Sequence, residues 1–231
     1  MPIDRSKRNH VPDWLAKNSE FARRYRIEES FERVYMPRAA QCEVPVDAFT
    51  ELYEFAAKAI GNVPLLYLEF GVYGGRSMSR MVERFPHPGA RFVGFDSFEG
   101  LPEDWAQAGG RKERGFFSTG GQIPTISDPR VSFEKGWFQD TLPPFLAAHD
   151  LSGTTPILVH YDADLYSSTL FVLCMLWPAT RGYYFIFDEF MGDELLALDD
   201  FSRAFPVELE FLCSAGEYPV KVFGRMRPIS S

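Results

Sequence analysis

The residues best placed to do chemistry begin at Leu65-Leu66-Tyr67-Leu68-Glu69-Phe70-Gly71-Val72-Tyr73-Gly74-Gly75, an apolar run that ends in an acid and a glycine-rich turn. A helical stretch, Arg76 to Phe85, follows. A strand, a glycine turn and a helix N-terminus together make a cradle for a nucleotide-like ligand, because the glycines admit the ligand to the backbone and the helix offers free N–H groups. The spacing is wrong for a dinucleotide, which calls for G-x-G-x-x-G. Glu69 would repel a pyrophosphate but suits a cationic ligand. S-adenosylmethionine, with its sulfonium and ammonium, fits such a loop better than NAD. Glu69, Gly71 and Gly75, with Ser77 just beyond, are the candidate donor-binding residues of this segment.

Three further acids end predicted strands: Asp96, Asp162 and Asp188. Ligands of open α/β sheets bind at that carboxyl edge, so four acids converging there point to a site. Asp96, at the end of the second strand, is placed to accept the hydroxyls of a ribose, with Ser97 beside it. Lys135-Gly136-Trp137-Phe138 follows the third strand, where an adenine would lie; Gly136 and Trp137 are candidate contacts, and Trp137 or Phe138 either stacks on the base or fills the core. Asp162-Ala163-Asp164 puts two carboxylates on one side of an extended chain, and Asp188-Glu189 ends the next strand. Carboxylates crowded in a cleft repel unless protons or a cation intervene, and hard oxygen ligands select Mg²⁺ or a similar ion. The structural alternative is that Asp164 caps the following turn and Glu189 faces solvent. Tyr166-Ser167-Ser168 opens a helix with Ser167 or Ser168 as its cap. His160 lies in a buried strand and reads as a hydrogen-bonded core residue.

The elements that must position these residues follow from periodicity. A helix is expected over 46–60, with Phe49, Leu52, Phe55 and Ala56 at helical spacing and Gly61-Asn62 as its stop. Strands are expected at 65–70, 91–95, 131–134, 156–161, 183–187, 207–212 and 220–225, with helices at 76–85, 141–149, 167–177 and 193–204 between them. This alternation predicts an α/β, Rossmann-like, doubly wound, mostly parallel seven-stranded sheet that closes on a C-terminal antiparallel hairpin at its edge. The polar stretch 99–128 is too long for an ordinary connection and reads as a mobile loop or lid. Residues 1–45 read as a helical extension or lid, and 46–231 as the catalytic domain.

Composition narrows the functional classes. The 231 residues carry a net charge of −8, which disfavours a nucleic-acid partner. The arginines and lysine at Arg5, Lys7, Arg8, Arg23, Arg24 and Arg26 are followed by Glu28, Glu29 and Glu32 and read as a solvated face. Hydrophobic content of 45% supports a core, and the 22 phenylalanines are enough to line a pocket as well. Cys42, Cys174 and Cys213 are too sparse for a disulfide framework or a zinc knuckle. The N-terminus lacks an apolar leader core, and no apolar run is long enough to span a membrane. A cytoplasmic protein with no membrane partner is expected. Neither a G-x-S-x-G elbow nor a P-loop occurs.

Taken together, LEFGVYGGRS, FDSFEGLPEDW, KGWFQDTLP, HYDADLYSST and FDEF followed by GDE resemble class I S-adenosylmethionine-dependent methyltransferases, most of all the macrocin O-methyltransferase-like family. The resemblance covers about residues 60–225. It implies that Glu69, Gly71 and Gly75 hold the methionine end of the donor, and Asp96 its ribose. It implies a Mg²⁺ on Asp162, Asp188 and Glu189, with Asp162 bordering the donor as well, and Asp164 as general base. The chain departs at Glu189, where the family more often has Asp. The implied acceptor is a hydroxyl-bearing small molecule, such as a glycoside natural product, and the implied assembly a homodimer or larger. Two other readings stand beside this one. A metal-dependent glycosyltransferase also uses Asp-x-Asp, although Glu69 beside the glycine loop argues against it. A catalytically silent donor-binding module would not need so many carboxylates.

Overall fold

One sheet organises the molecule, in strand order β1-β9-β10-β8-β7-β2-β3-β6. The structure, a computed structural model, describes residues 13–42, 44–46, 49–107, 110–216 and 219–229. Arg5, Lys7 and Arg8 lie outside these. The parallel centre comprises β2 (Leu66–Phe70), β3 (Arg91–Asp96), β6 (Val131–Lys135), β7 (Ile157–Tyr161) and β8 (Tyr183–Phe187). β9 (Val207–Ala215) and β10 (Lys221–Pro228) form the antiparallel hairpin, and β10 pairs with β8. These seven strands are the expected sheet. An eighth was not expected: β1 (Val44–Val46) runs parallel to β9 at the outer edge. The helix read from residue 46 therefore starts later, as α2 (Phe49–Ile60), because the residues before it are drawn into the sheet.

β2 and β7 are buried on both faces, as expected of central parallel strands. Alternation along each strand splits the core in two. Leu68, Phe70, Val159, Tyr161, Phe185 and Phe187 face one layer. Tyr67, Phe92, Leu158, Ile186 and Phe223 face the other, under α2 and α3 (Arg76–Arg84). By that parity Glu69, Asp96, His160, Asp162 and Asp188 all belong to the second face.

The remaining helices are α1 (Asp13–Ser30), α4 (Phe138–Ala148), α5 (Tyr166–Ala179) and α6 (Leu195–Ala204). α4 begins earlier than expected and contains Pro143 and Pro144; α5 runs past Pro178. Neither serine caps α5. Its N-cap is Leu165, and the Ser167 hydroxyl donates instead to Glu103 Oε1 at 2.6 Å. The arginines of α1 are not simply solvated. Arg23 pairs with Asp193 at 2.7 Å and Arg26 with Asp200 at 3.0 Å, and farther on the Ser30 hydroxyl donates to buried Asp199 at 2.7 Å, so α1 lies along α6. No described helix is long and apolar enough to cross a membrane.

The 99–128 stretch is folded. It holds an antiparallel hairpin of β4 (Trp105–Gln107) and β5 (Gly110–Lys112). Leu101 and Trp105 pack on Leu165, with Phe117 against them. Gly100 sits so close to the Gly115 and Phe116 carbonyls that a Cβ would meet both oxygens at 2.4 Å, which fixes the base of this flap.

Candidate active site

The carboxyl edge of β2, β3 and β7 opens into a cleft of about 190 Å³. Of the residues singled out from the sequence, Gly71, Asp96, Ser97, Trp137, Asp162, Asp164 and Glu189 line it. Tyr73, Phe138, Phe117 and Leu101 add apolar walls, the last two from the flap. Glu69, Gly75, Ser77, Gly136 and Asp188 do not line it; they stand behind or beside the wall and shape it.

Each wall residue is held for an identifiable reason. Gly71 has φ of 97°, and a Cβ there would meet the Asp162 carbonyl oxygen at 1.9 Å, so the loop after β2 lies directly on the loop after β7. Asp96 accepts the backbone N–H groups of Val72 at 2.8 Å, Tyr73 at 2.7 Å and Phe98 at 2.6 Å. It thereby ties the glycine loop to its own strand end, and the two-oxygen carboxylate retains acceptor capacity toward the cleft. The Ser97 hydroxyl accepts the Glu99 N–H at 3.1 Å. Trp137 is the N-cap residue of α4, and Phe138 packs edge-on against Phe70, so of the two aromatic candidates Phe138 fills core as well as wall. Gly136, at φ of 148°, turns the chain beside Thr141.

Glu69 is fully buried and accepts the hydroxyls of Tyr67 and Ser77, each at 2.6 Å. Burial raises its pKa, against the pull of His160. Glu69 thus acts from beneath the loop, with Ser77 interposed.

The second half of the site is acidic. Asp162 is half-buried, and among the described residues no donor reaches its carboxylate. Burial, then Asp188, Asp164 and Glu69, hold its pKa well above the carboxylate range. Asp164 adopts φ of 61°, an uncommon conformation for a non-glycine residue, which aims it back into the cleft. Its pKa is pushed up to about 7 by burial and by Glu189, with Lys112 opposing. Asp188 differs. Burial would raise it, but His160 and Lys221 together pull it down to about 2. His160 links the two halves: its Nδ1 bonds the Tyr67 hydroxyl at 2.8 Å and its Nε2 bonds Asp188 Oδ1 at 3.1 Å. It is the hydrogen-bonded core residue expected.

Two site residues escaped the sequence reading. Glu194 is buried, accepts the N–H of Glu189 at 3.1 Å, and is raised well above its usual range by burial, then by Asp162 and Asp188. It ends the irregular turn Phe190–Glu194, where Met191 and Gly192 leave helical geometry, so no periodicity marks it. Lys221, buried, contacts Asp188 and the Tyr53 hydroxyl. It lies far along the chain on β10, and a lysine opening an edge hairpin reads as exposed.

The oxygens of Asp162 and Asp188, with a His160 nitrogen, lie within 4.8 Å of one another. An Asp162 carboxylate without a donor, crowded by other acids, fits a hard divalent ion. Glu189, the third ligand named from the sequence, lines the cleft but is not among the atoms that converge here.

Comparison with known proteins agrees with this geometry. The model of the Macrocin-O-methyltransferase (TylF) family matches residues 122–209. Demethyldecarbamoylnovobiocin O-methyltransferase of Streptomyces niveus is 29% identical over 192 residues, covering 72% of this chain and 69% of that one. The O-methyltransferase NovP superposes with a TM-score of 0.56 at 24% identity, over 78% of this chain and 79% of that one. Cofactor-bound Rv0187 from MTB superposes at 0.50 with 13% identity, over 93% and 91%. Both likenesses speak to the fold. The family model over residues 122–209, the curated relative and the strand-end acids agree: the chain is similar to S-adenosylmethionine-dependent O-methyltransferases, the macrocin O-methyltransferase family among them, and has their fold.

Proposed function

We propose that this enzyme methylates a hydroxyl of a sugar or sugar-bearing natural product, with Asp164 as general base and Mg²⁺ assisting at Asp162, Asp188 and Glu189. The observation that carries the reading is Asp164 itself: it lines the cleft, has no hydrogen-bond partner among the described residues, and has a pKa near neutrality. A general base works best when its pKa lies near the operating pH. The relative from Streptomyces niveus, named for a novobiocin precursor, and the macrocin family model both support a natural-product acceptor.

The reading gives each residue a role. The loop Gly71–Gly75 and Asp96 receive the methyl donor, whose sulfonium presents an electrophilic methyl. Asp164 takes the acceptor's proton as the new O–CH₃ bond forms and the C–S bond breaks, leaving a neutral thioether. A divalent ion on the acidic oxygens would orient adjacent hydroxyls and lower their pKa. Tyr73, Phe117, Phe138 and Leu101 exclude water and hold the acceptor's apolar body. The test is methyl transfer to a panel of diol-bearing glycosides in EDTA and after Mg²⁺ is restored. Transfer should fall in chelator and recover with the ion; full activity in EDTA removes the metal from the scheme. Turnover only on acceptors lacking a sugar would remove the sugar.

A further inference from the structure

Behind the acidic wall lies a buried ammonium that the reaction scheme does not use. Lys221 is 5% exposed. Its Nζ donates to the Tyr53 hydroxyl at 2.8 Å and to Asp188 Oδ1, and it sits 4.9 Å from the Tyr53 ring and 5.2 Å from the Phe49 ring. His160 Nε2 reaches the same Oδ1 from the other side. Both partners therefore crowd one oxygen of Asp188. Oδ2 is left without a hydrogen-bond partner among the described residues, on the carboxylate that converges with Asp162. A charge buried this deeply is tolerated only when paired. Lys221 thus serves Asp188 as Asp188 serves Lys221.

We propose that Lys221 is a positioning residue that acts as the chain's own cation on Asp188, fixing the carboxylate with Oδ2 toward Asp162 and competing with a divalent ion for the charge of that acidic cluster. The inference rests on the reading of Asp162, Asp188 and Glu189 as a divalent-ion site. Its consequence is that the cluster is partly neutralised without metal, so the ion binds weakly and exchangeably.

Mn²⁺ serves as the probe, read by paramagnetic resonance and by thermal melting of the full-length enzyme. Lys221→Met should melt below wild type without ion, because Asp188 then lacks its counter-charge. It should bind Mn²⁺ about tenfold or more tightly than wild type, and regain melting temperature as Mn²⁺ is added. The double variant Asp188→Asn/Lys221→Met should recover stability and lose the response to Mn²⁺. If Lys221→Met does not fold, Tyr53→Phe, which removes one hydrogen bond to the ammonium, should shift Mn²⁺ affinity the same way by a smaller factor. Unchanged or weaker Mn²⁺ binding in the variant overturns the inference, and if wild type still binds the ion the metal site survives that failure. Mn²⁺ binding by Lys221→Met alone would sustain the role of Lys221 while removing the ion from the wild-type reaction.

Discussion

Replacing Asp164 by Asn tests the proposed base through two quantities that must move in opposite directions. The wild-type carboxyl has its pKa pushed from its usual 3.8 to about 7, first by burial and then by Glu189. The folded chain therefore holds a proton there that the unfolded chain releases near pH 4. Folded stability falls as pH rises from about 4 to about 7, and the full cost persists above that. The gap corresponds to at most about 4 kcal/mol at pH 8, less what Lys112 and entering water recover. Asn carries no ionisation, so the variant should melt higher than wild type at pH 8, and the difference should shrink toward pH 4.5. Catalysis should fall by about 10²–10⁴-fold, the usual contribution of a positioned base. Donor affinity, measured by calorimetry, should stay unchanged. In wild type the same titration should raise kcat/KM about tenfold between pH 6 and pH 8. Initial rates of S-adenosylhomocysteine formation and melting curves across this range supply both readouts. A flat pH profile, or an Asp164→Asn enzyme that keeps its rate or gains nothing in stability at pH 8, refutes the assignment.

Other outcomes follow from the walls of the site. Gly71→Ala should cost both stability and donor binding, since its Cβ would strike the Asp162 carbonyl and φ of 97° is strained for alanine; melting and calorimetry read both losses. Asp96→Ala should weaken donor binding at least about tenfold, because the Val72, Tyr73 and Phe98 amides lose their common acceptor; unchanged affinity would place the donor elsewhere. Lys112→Met removes a charge that opposes the rise at Asp164, so the limb of the pH–rate profile should move to higher pH; a move to lower pH would contradict the electrostatic account.

The sequence made the central sheet legible because five short apolar runs each ended in a turn, and it made the strand-end acids legible because chain direction fixes which edge they share. It could not reveal β1, which is three residues long and exists only because β9 offers an open edge. Serine capping of α5 failed because the Ser167 hydroxyl found a partner in Glu103, sixty-four positions earlier. Glu194 and Lys221 stayed hidden for a related reason: each is buried by elements distant in sequence, and local patterning assigns acids and lysines to the surface. The 99–128 stretch read as a mobile loop because its polar residues hide Leu101, Trp105 and Phe117, whose partners include Leu165 far ahead.

Asp193, on the turn just after Glu189, accepts the Trp105 indole N–H at 3.1 Å from the flap while pairing with Arg23 of α1. A single carboxylate thus fastens the roof of the cleft to α1. Replacing Arg23 by Met would alter no residue that lines the cleft, yet it would loosen the roof from behind, so a change on the outer helix would alter which acceptors the enzyme admits.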